Sequence, residues 1–346
     1  MRIRLATALD QPDWDAYVLA HPEGLAYQLY AWRLAVAEAY HFDACYLMAE
    51  EDGRIHGVLP LIDFKPPLFG RCYLSLPYCD QGGCLADDDD TEHALLARAV
   101  DLASEKRISS IELRQCYKTD AEDRAAMACT KVRMVLDLPV NSSAMLAGMK
   151  SKLRSQVLKP HRDGLSFRLG GSELVEEFYA IYSVNMRDLG SPVHSRQWIE
   201  SVVAHFGANA RVGVVSTPSG EPAAAGIILL HPRTVSIPWA SALRKFKRWN
   251  ANMLLYWSLL AFCTDQGYRR FDFGRSTPGE GTYRFKQQWG AKPVPLRWRK
   301  MGQDDGGQTQ RTHKPRLRGQ AERIWKRLPQ SLCNSFGPRL RRYVSL

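Results

Sequence analysis

The chain has 346 residues, 45% hydrophobic and 24% charged, enough for two domains with cores of their own and too apolar for extensive disorder. The net charge of +11 is uneven: residues 303–346 hold ten Lys/Arg against three Asp/Glu, so only +4 belongs to the first 302 residues, and a purely charge-based case for nucleic acid or membrane rests on the tail. Eight scattered cysteines show neither a disulfide scaffold nor zinc spacing, so no metal is expected, and no window has the apolar length of a signal peptide or membrane span; the setting implied is reducing and cytoplasmic.

Along the first half, Arg2–Ala6 reads as a strand, and Gln11–Ala20 and Gln28–Tyr40 as helices. Asp43–Glu51 and Arg54–Phe64 are strands joined by Asp52-Gly53, a tight hairpin turn. Arg71–Leu76 is a further strand. Asp87–Asp90 lead into a helix over Thr91–Lys106, with acid at its positive end. Ser110–Gln115 and Lys131–Leu138 are strands.

The second half repeats this order. Ser142–His161 is a basic helical stretch stopped or kinked near Pro160. Ser172–Leu189 and His194–Phe206 are helices, and Arg211–Ser216 and Ala223–Leu230 form a hairpin around Pro218-Ser219-Gly220. Thr234–Ala240 is a strand, Asn250–Gln266 a helix and Arg269–Phe273 a strand. Helix pair, hairpin, strand, helix, strand is the order of an acetyltransferase-like (GNAT-like) unit used twice. The fold class expected is α/β: two tandem GNAT-like domains with mixed sheets at 1–140 and 141–300 and a cleft between them. A polar linker at 301–320 and a basic amphipathic tail at 321–346 follow.

The segment 271–291, FDFGRSTPGEGTYRFKQQWGA, carries the most chemistry. A buried strand should end near Gly274, a small-polar loop follow, and a helix begin near Tyr283. Ligands of open α/β sheets bind beyond the carboxyl ends of strands, and Arg275, Arg284 and Lys286 favour an anion there. Other cations cluster at Lys152, Arg154 and Lys159, and at residues 244–249 (RKFKRW), where Asn250 is a candidate helix cap. Asp272 is a candidate base at a strand end. Asp80 and Tyr78 lie in a Gly-rich turn, and His194 in a loop before a helix. Neither a Gly-x-Ser-x-Gly elbow nor a Gly-x-x-x-x-Gly-Lys loop occurs, which argues against a triad hydrolase and a nucleotide triphosphatase.

DFGRS…GEGTYRFKQQWGA resembles the C-terminal signature of the Fem-type (FemABX) aminoacyl and peptidyl transferases. It is most similar to the Fem-related proteins of PEP-CTERM/exosortase exopolysaccharide loci. The resemblance implies an acyltransferase acting on an amine or hydroxyl of a cell-envelope or exopolysaccharide precursor. By that resemblance Phe285 and Lys286 lie in the transfer site, with Lys286 supporting the developing oxyanion and Asp272 nearby. Tyr283, Arg284 and Arg275 join them from the same motif. Lys152, Arg154 and Lys159 match the basic helix opening the second domain of such enzymes, where it meets phosphates of tRNA or of a pyrophosphoryl acceptor. Tyr78, Asp80 and His194 fall where relatives bind substrate.

No tightly bound cofactor is implied. The coenzyme A turn is missing its glycines (Arg248-Trp-Asn-Ala-Asn-Met), which favours aminoacyl-tRNA as donor over acyl-CoA. The acceptor would be a lipid-linked or nucleotide-linked sugar or peptide. The rival readings are an acyl-CoA-dependent N-acyltransferase of a sugar amine, a non-catalytic assembly protein of a polysaccharide locus, and an RNA-binding module. The tail could lie on the inner, anionic membrane face, pack on the body or bind RNA.

Overall fold

The computed structural model describes residues 1–67, 70–116, 131–302 and 315–345. Most of the expected linker, residues 303–314, and Cys129 lie outside them.

In chain order the elements are β1 (Arg2–Leu5), α1 (Gln11–Ala20), α2 (Tyr30–Tyr40), β2 (Ala44–Glu51), β3 (Arg54–Phe64), β4 (Cys72–Leu74), β5 (Leu85–Ala86), α3 (Asp89–Glu105) and β6 (Ser110–Cys116). Then come β7 (Val132–Asp137), α4 (Ser142–Gly148), α5 (Ser151–Arg162), β8 (Ser166–Gly170), α6 (Val175–Leu189), α7 (Arg196–Phe206), β9 (Ala210–Ser216), β10 (Pro222–Leu229) and β11 (Val235–Ala242). The last are α8 (Ala251–Asp265), β12 (Arg270–Ser276), α9 (Gly281–Gln287), β13 (Lys292–Gly302), α10 (Pro315–Trp325) and α11 (Gln330–Arg341). Two compact units result. Unit 1 takes Met1–Val132, Val294–Thr312 and Tyr343–Leu346; unit 2 takes Arg133–Pro293 and His313–Arg342.

In unit 1 the β2–β3 hairpin closes on Asp52 (φ 50°) and Gly53 (φ 73°), the left-handed pair that a two-residue turn demands. Helix α3 starts at Asp88, whose carboxylate accepts the Thr91 amide at 2.7 Å. Leu95, Ala99 and Leu102 of α3 bury against Leu47, Leu59 and Leu61 of the hairpin. The sheet order is β1-β2-β3-β4-β6, with β5 on β3. Neighbours are antiparallel except β4 and β6, which run parallel.

Unit 2 repeats the plan: β8 antiparallel to β9, β9 to β10, β10 to β11, then β11 parallel to β12. From Ala223 to Leu229 every residue of β10 is buried, as expected of a strand covered on both faces. Helices α6 and α8 supply that cover. The sixth strand of each sheet comes from the other repeat. From Arg133 onward β7, which follows β6 in the chain, lies beside β12 in unit 2. The part of β13 from Leu296 to Gly302 pairs antiparallel with β6 in unit 1.

Two local expectations differ. The stretch 142–161 is two helices, parted by extended backbone at Met149 (ψ 140°) and Lys150 (ψ 144°). Pro160 does not stop α5, which continues to Arg162. Close to the helix end, its missing N–H costs a single ladder bond. The tail forms two helices packed on unit 2. Cys333 and Gly337 are buried, and a Cβ on Gly337 would stand 3.1 Å from Val193.

Candidate active site

The parallel strands β11 and β12 are registered at Val235–Phe271 and Ser236–Asp272, and part beyond those pairs. Just past the parting, Gly274 takes φ 73°, a left-handed conformation natural to glycine. Successive carbonyls of a regular strand point to opposite edges. This bend instead turns the carbonyls of Gly274 and Arg275 onto one donor, Lys286 Nζ, at 3.0 and 2.8 Å. Lys286 is 8% exposed. A buried ammonium is tolerated when hydrogen bonds and dipoles replace water, and the two carbonyls supply them.

The bend is itself held. Asp272 Oδ1 accepts the Gly274 amide at 2.8 Å, and Oδ2 lies 3.0 Å from Arg133 Nε. Arg133 stands on β7, the strand contributed by the first repeat. A relay of Arg133, Asp272, Gly274 and Lys286 thus fixes a positive charge at the open end of β12. The hydroxyls of Ser236, at the last registered pair, and Ser276, at the end of β12, are buried without a protein partner.

Helix α9 is seated by aromatic contacts. The Phe285 ring meets Tyr256 edge-on at 4.9 Å and Trp289 at 6.3 Å, and Tyr256 stacks on Phe273 of β12 at 5.6 Å. Burial raises the Tyr256 phenol well above its ordinary range. Phe285 is therefore a packing ring that places Lys286. Arg275 and Tyr283 are half-buried and Arg284 is exposed. Of the motif residues, Asp272, Gly274, the Arg275 carbonyl and Lys286 are joined by contacts.

The other predicted residues stand on other elements. On α5, Lys152 is exposed, and Lys159 pairs with Asp163 one turn on. Arg154 donates to the carbonyls of Leu146, Ala147 and Met149 at 3.1, 2.7 and 3.1 Å, which closes the end of α4. The basic segment Arg244–Trp249 winds as a 3₁₀ helix. Its amides turn inward: Phe246 N donates to Leu243 O and Asn250 N to Lys247 O. Asn250 is left-handed (φ 53°) and its side chain makes no cap bond, unlike the expected cap.

His194 is buried in an aromatic cluster of unit 2. Its ring lies 6.0 Å from Trp198 and 6.3 Å from Trp239, a residue of the parted stretch of β11. Nε2 accepts from Arg341 Nε of α11 at 3.0 Å. Burial, and secondarily the Arg341 charge, hold its pKa well below the usual value. Neighbouring Tyr182 is pushed up to about 12 by burial.

In unit 1, Tyr78 and Asp80 belong to a strained turn. Leu76 (φ 56°) and Tyr78 (φ 67°) are both left-handed, a conformation costing a non-glycine residue roughly 1–2 kcal/mol. The buried guanidinium of Arg114 compensates by donating to Leu76 O at 3.4 Å and Cys79 O at 3.0 Å. It also donates to Ser345 O at 3.2 Å and Ser345 Oγ at 2.8 Å, and stacks on Trp298 at 4.7 Å. Sequence reading missed Arg114 and Arg133. The available signal was a cation inside an otherwise buried strand, at IELRQC and KVRMVLD.

A helix pair, an antiparallel hairpin and two parallel strands that part around a helix crossover occur twice. The fold is a tandem GNAT fold. Residues 149–287 match the acetyltransferase (GNAT) domain family. Among solved structures, FemX aligns with a TM-score of 0.69 at 14% identity, covering 85% of this chain and 95% of that one. The tandem GNAT protein of the clavulanic acid biosynthesis pathway aligns at 0.51 and 14%, covering 87% and 98%. L-PGS from Bacillus licheniformis aligns at 0.50 and 13%, covering 83% and 90%. No curated protein sequence matches the chain. Among the described residues, this GNAT fold has no cluster of His, Cys, Asp and Glu able to hold a metal ion, and no helix long and apolar enough to cross a membrane.

Proposed function

We propose that the chain is an acyltransferase of the Fem type, moving an aminoacyl or other acyl group to an amine or hydroxyl of a cell-envelope or exopolysaccharide precursor, in a locus of the exosortase kind. The observation that carries this reading is the Lys286 ammonium, buried and fixed where β11 and β12 part. Acyl transfer needs a positive charge that does not reorganise as an oxyanion forms. The acceptor nitrogen or oxygen attacks the acyl carbon, the carbonyl becomes a tetrahedral oxyanion beside Lys286, and collapse breaks the bond to the donor. The proton lost by the nucleophile leaves on the departing oxygen or sulfur. Asp272, which holds Arg133 and the Gly274 amide, positions Lys286 and is the nearby carboxylate for proton removal.

Aminoacyl-tRNA is the donor we favour. The 3₁₀ winding of Arg244–Trp249 spends amides that a pyrophosphate would need, and Lys152 on α5 is open to a phosphate. The acceptor is a lipid-linked or nucleotide-linked sugar or peptide. A second reading, acyl-CoA transfer to a sugar amine, draws on the GNAT domain match and on the exposed Arg244, Lys245, Lys247 and Arg248 ahead of α8.

The test is label transfer from charged tRNA and, in parallel, from acetyl-CoA to a panel of such acceptors. Wild-type protein transfers from tRNA, and Lys286→Met loses about 10²–10³-fold in rate with its circular dichroism retained. Transfer from acetyl-CoA alone selects the second reading. Equal transfer rates for Lys286→Met and wild type overturn the role of Lys286, and no transfer from either donor, with unchanged product in Lys286→Met cells, overturns both readings and leaves an assembly role.

A further inference from the structure

The tail helices leave an apolar band uncovered. On α11, Leu332, Phe336 and Leu340 recur every fourth residue and are 41%, 50% and 50% exposed. The seated side of the same helix is different: Cys333 and Gly337 are buried, and Arg341 reaches His194. On the same helical hairpin Ile324 is 63% exposed. Arg323, Lys326, Arg327 and Arg339 are also exposed, and no acidic residue occurs from 323 to 345.

We infer that this band docks the protein on an anionic lipid surface. Packing against the body would have buried the stripe, and it does not. RNA has no use for a repeated Leu-Phe-Leu stripe, since phosphate contacts call for the cations alone. A second copy of the chain meeting it about a two-fold axis would bring Arg339 and its neighbours against the same cations. A bilayer surface satisfies both halves of the pattern: apolar side chains enter the acyl boundary while flanking Arg and Lys meet anionic headgroups. The helices lie in the interface plane and span nothing, and the hairpin fixes which face of unit 2 turns to the lipid. The inference is independent of the acyl-transfer reading, because it is measured without substrate.

The experiment is co-sedimentation of the full chain with phosphatidylcholine vesicles, with and without 30% phosphatidylglycerol (roughly the anionic content that polybasic amphipathic helices respond to). Binding to the anionic vesicles is expected, weakened by at least about tenfold in pure phosphatidylcholine or high salt. The triple variant L332S/F336S/L340S should lose about tenfold or more while keeping the wild-type melting temperature. A charge variant, K326Q/R327Q/R339Q, should bind the anionic vesicles more weakly and with a shallower salt dependence. The inference is overturned if wild-type protein stays in the supernatant with anionic vesicles, or if the serine variant, folded by its melt, sediments like wild type. Salt-sensitive binding of tRNA that the charge variant abolishes, without vesicle binding, would assign the patch to RNA and overturn it too.

Discussion

Replacing Asp272 by Asn tests the relay beneath the candidate site with little steric change. Asn keeps an oxygen for the Gly274 amide and removes only the charge that faces Arg133 Nε at 3.0 Å. The Asp272 and Arg133 side chains are 4% and 11% exposed, so screening is slight. Two charges at that separation attract by about 5 kcal/mol at an effective dielectric constant near 20. Desolvation offsets much of this in the intact pair. Removing one partner, however, takes away that compensation from the other, at up to about 3–5 kcal/mol. Asp272→Asn should therefore destabilise unit 2 by roughly 3 kcal/mol or more, and Arg133→Met by a similar amount. The double variant should recover at least about 2 kcal/mol relative to the sum, because the lost attraction between the two charges is then counted once. Urea unfolding followed by tryptophan fluorescence measures all four proteins. A change below about 0.5 kcal/mol for Asp272→Asn, or additive single effects, would refute the relay.

Gly274→Ala should cost about 1–2 kcal/mol, since φ 73° is left-handed backbone that strains a residue with a Cβ, and should lower transfer by loosening Lys286; retained stability in the same urea assay would count against the bend. Arg154→Ala should cost about 1–2 kcal/mol by taking the guanidinium from the carbonyls of Ala147 and Met149, without a change in KM for charged tRNA. His194 is neutral when folded, with its pKa lowered by burial. The unfolded chain binds a proton there below about pH 6.5, so stability should fall as pH drops, by up to about 2 kcal/mol at pH 5. His194→Gln should flatten that stretch of the stability–pH curve; a slope equal to wild type would reject the assignment.

Much of the fold was legible because local rules and tertiary packing agree. The Asp52-Gly53 turn, the period-two strands around it and the Asp88-capped α3 each carry their own signal. What escaped depends on partners distant in sequence. β13 contains Pro293 and Pro295, which read against a strand, yet it pairs with β6 from Leu296 onward. The break at Met149–Lys150 follows from Arg154 folding back on the α4 carbonyls, which helix periodicity does not reveal. At the candidate site, the likeness of the C-terminal motif pointed to Lys286, and the glycine of DFG hinted at a bend. That the bend gathers two carbonyls on one ammonium, and that Arg133 from 139 residues upstream steadies it, emerges only in three dimensions.

The exchange of sixth strands has an evolutionary and practical corollary. A gene cut near codon 140 would give a first fragment lacking the strand that flanks β6 and still carrying the arginine its sibling requires. The second fragment would hold the motif without its counter-charge. Neither repeat is a self-sufficient module, so a duplication of this kind, once the strands had traded places, could no longer be undone by simple fission. Mixing the two fragments should restore what neither has alone.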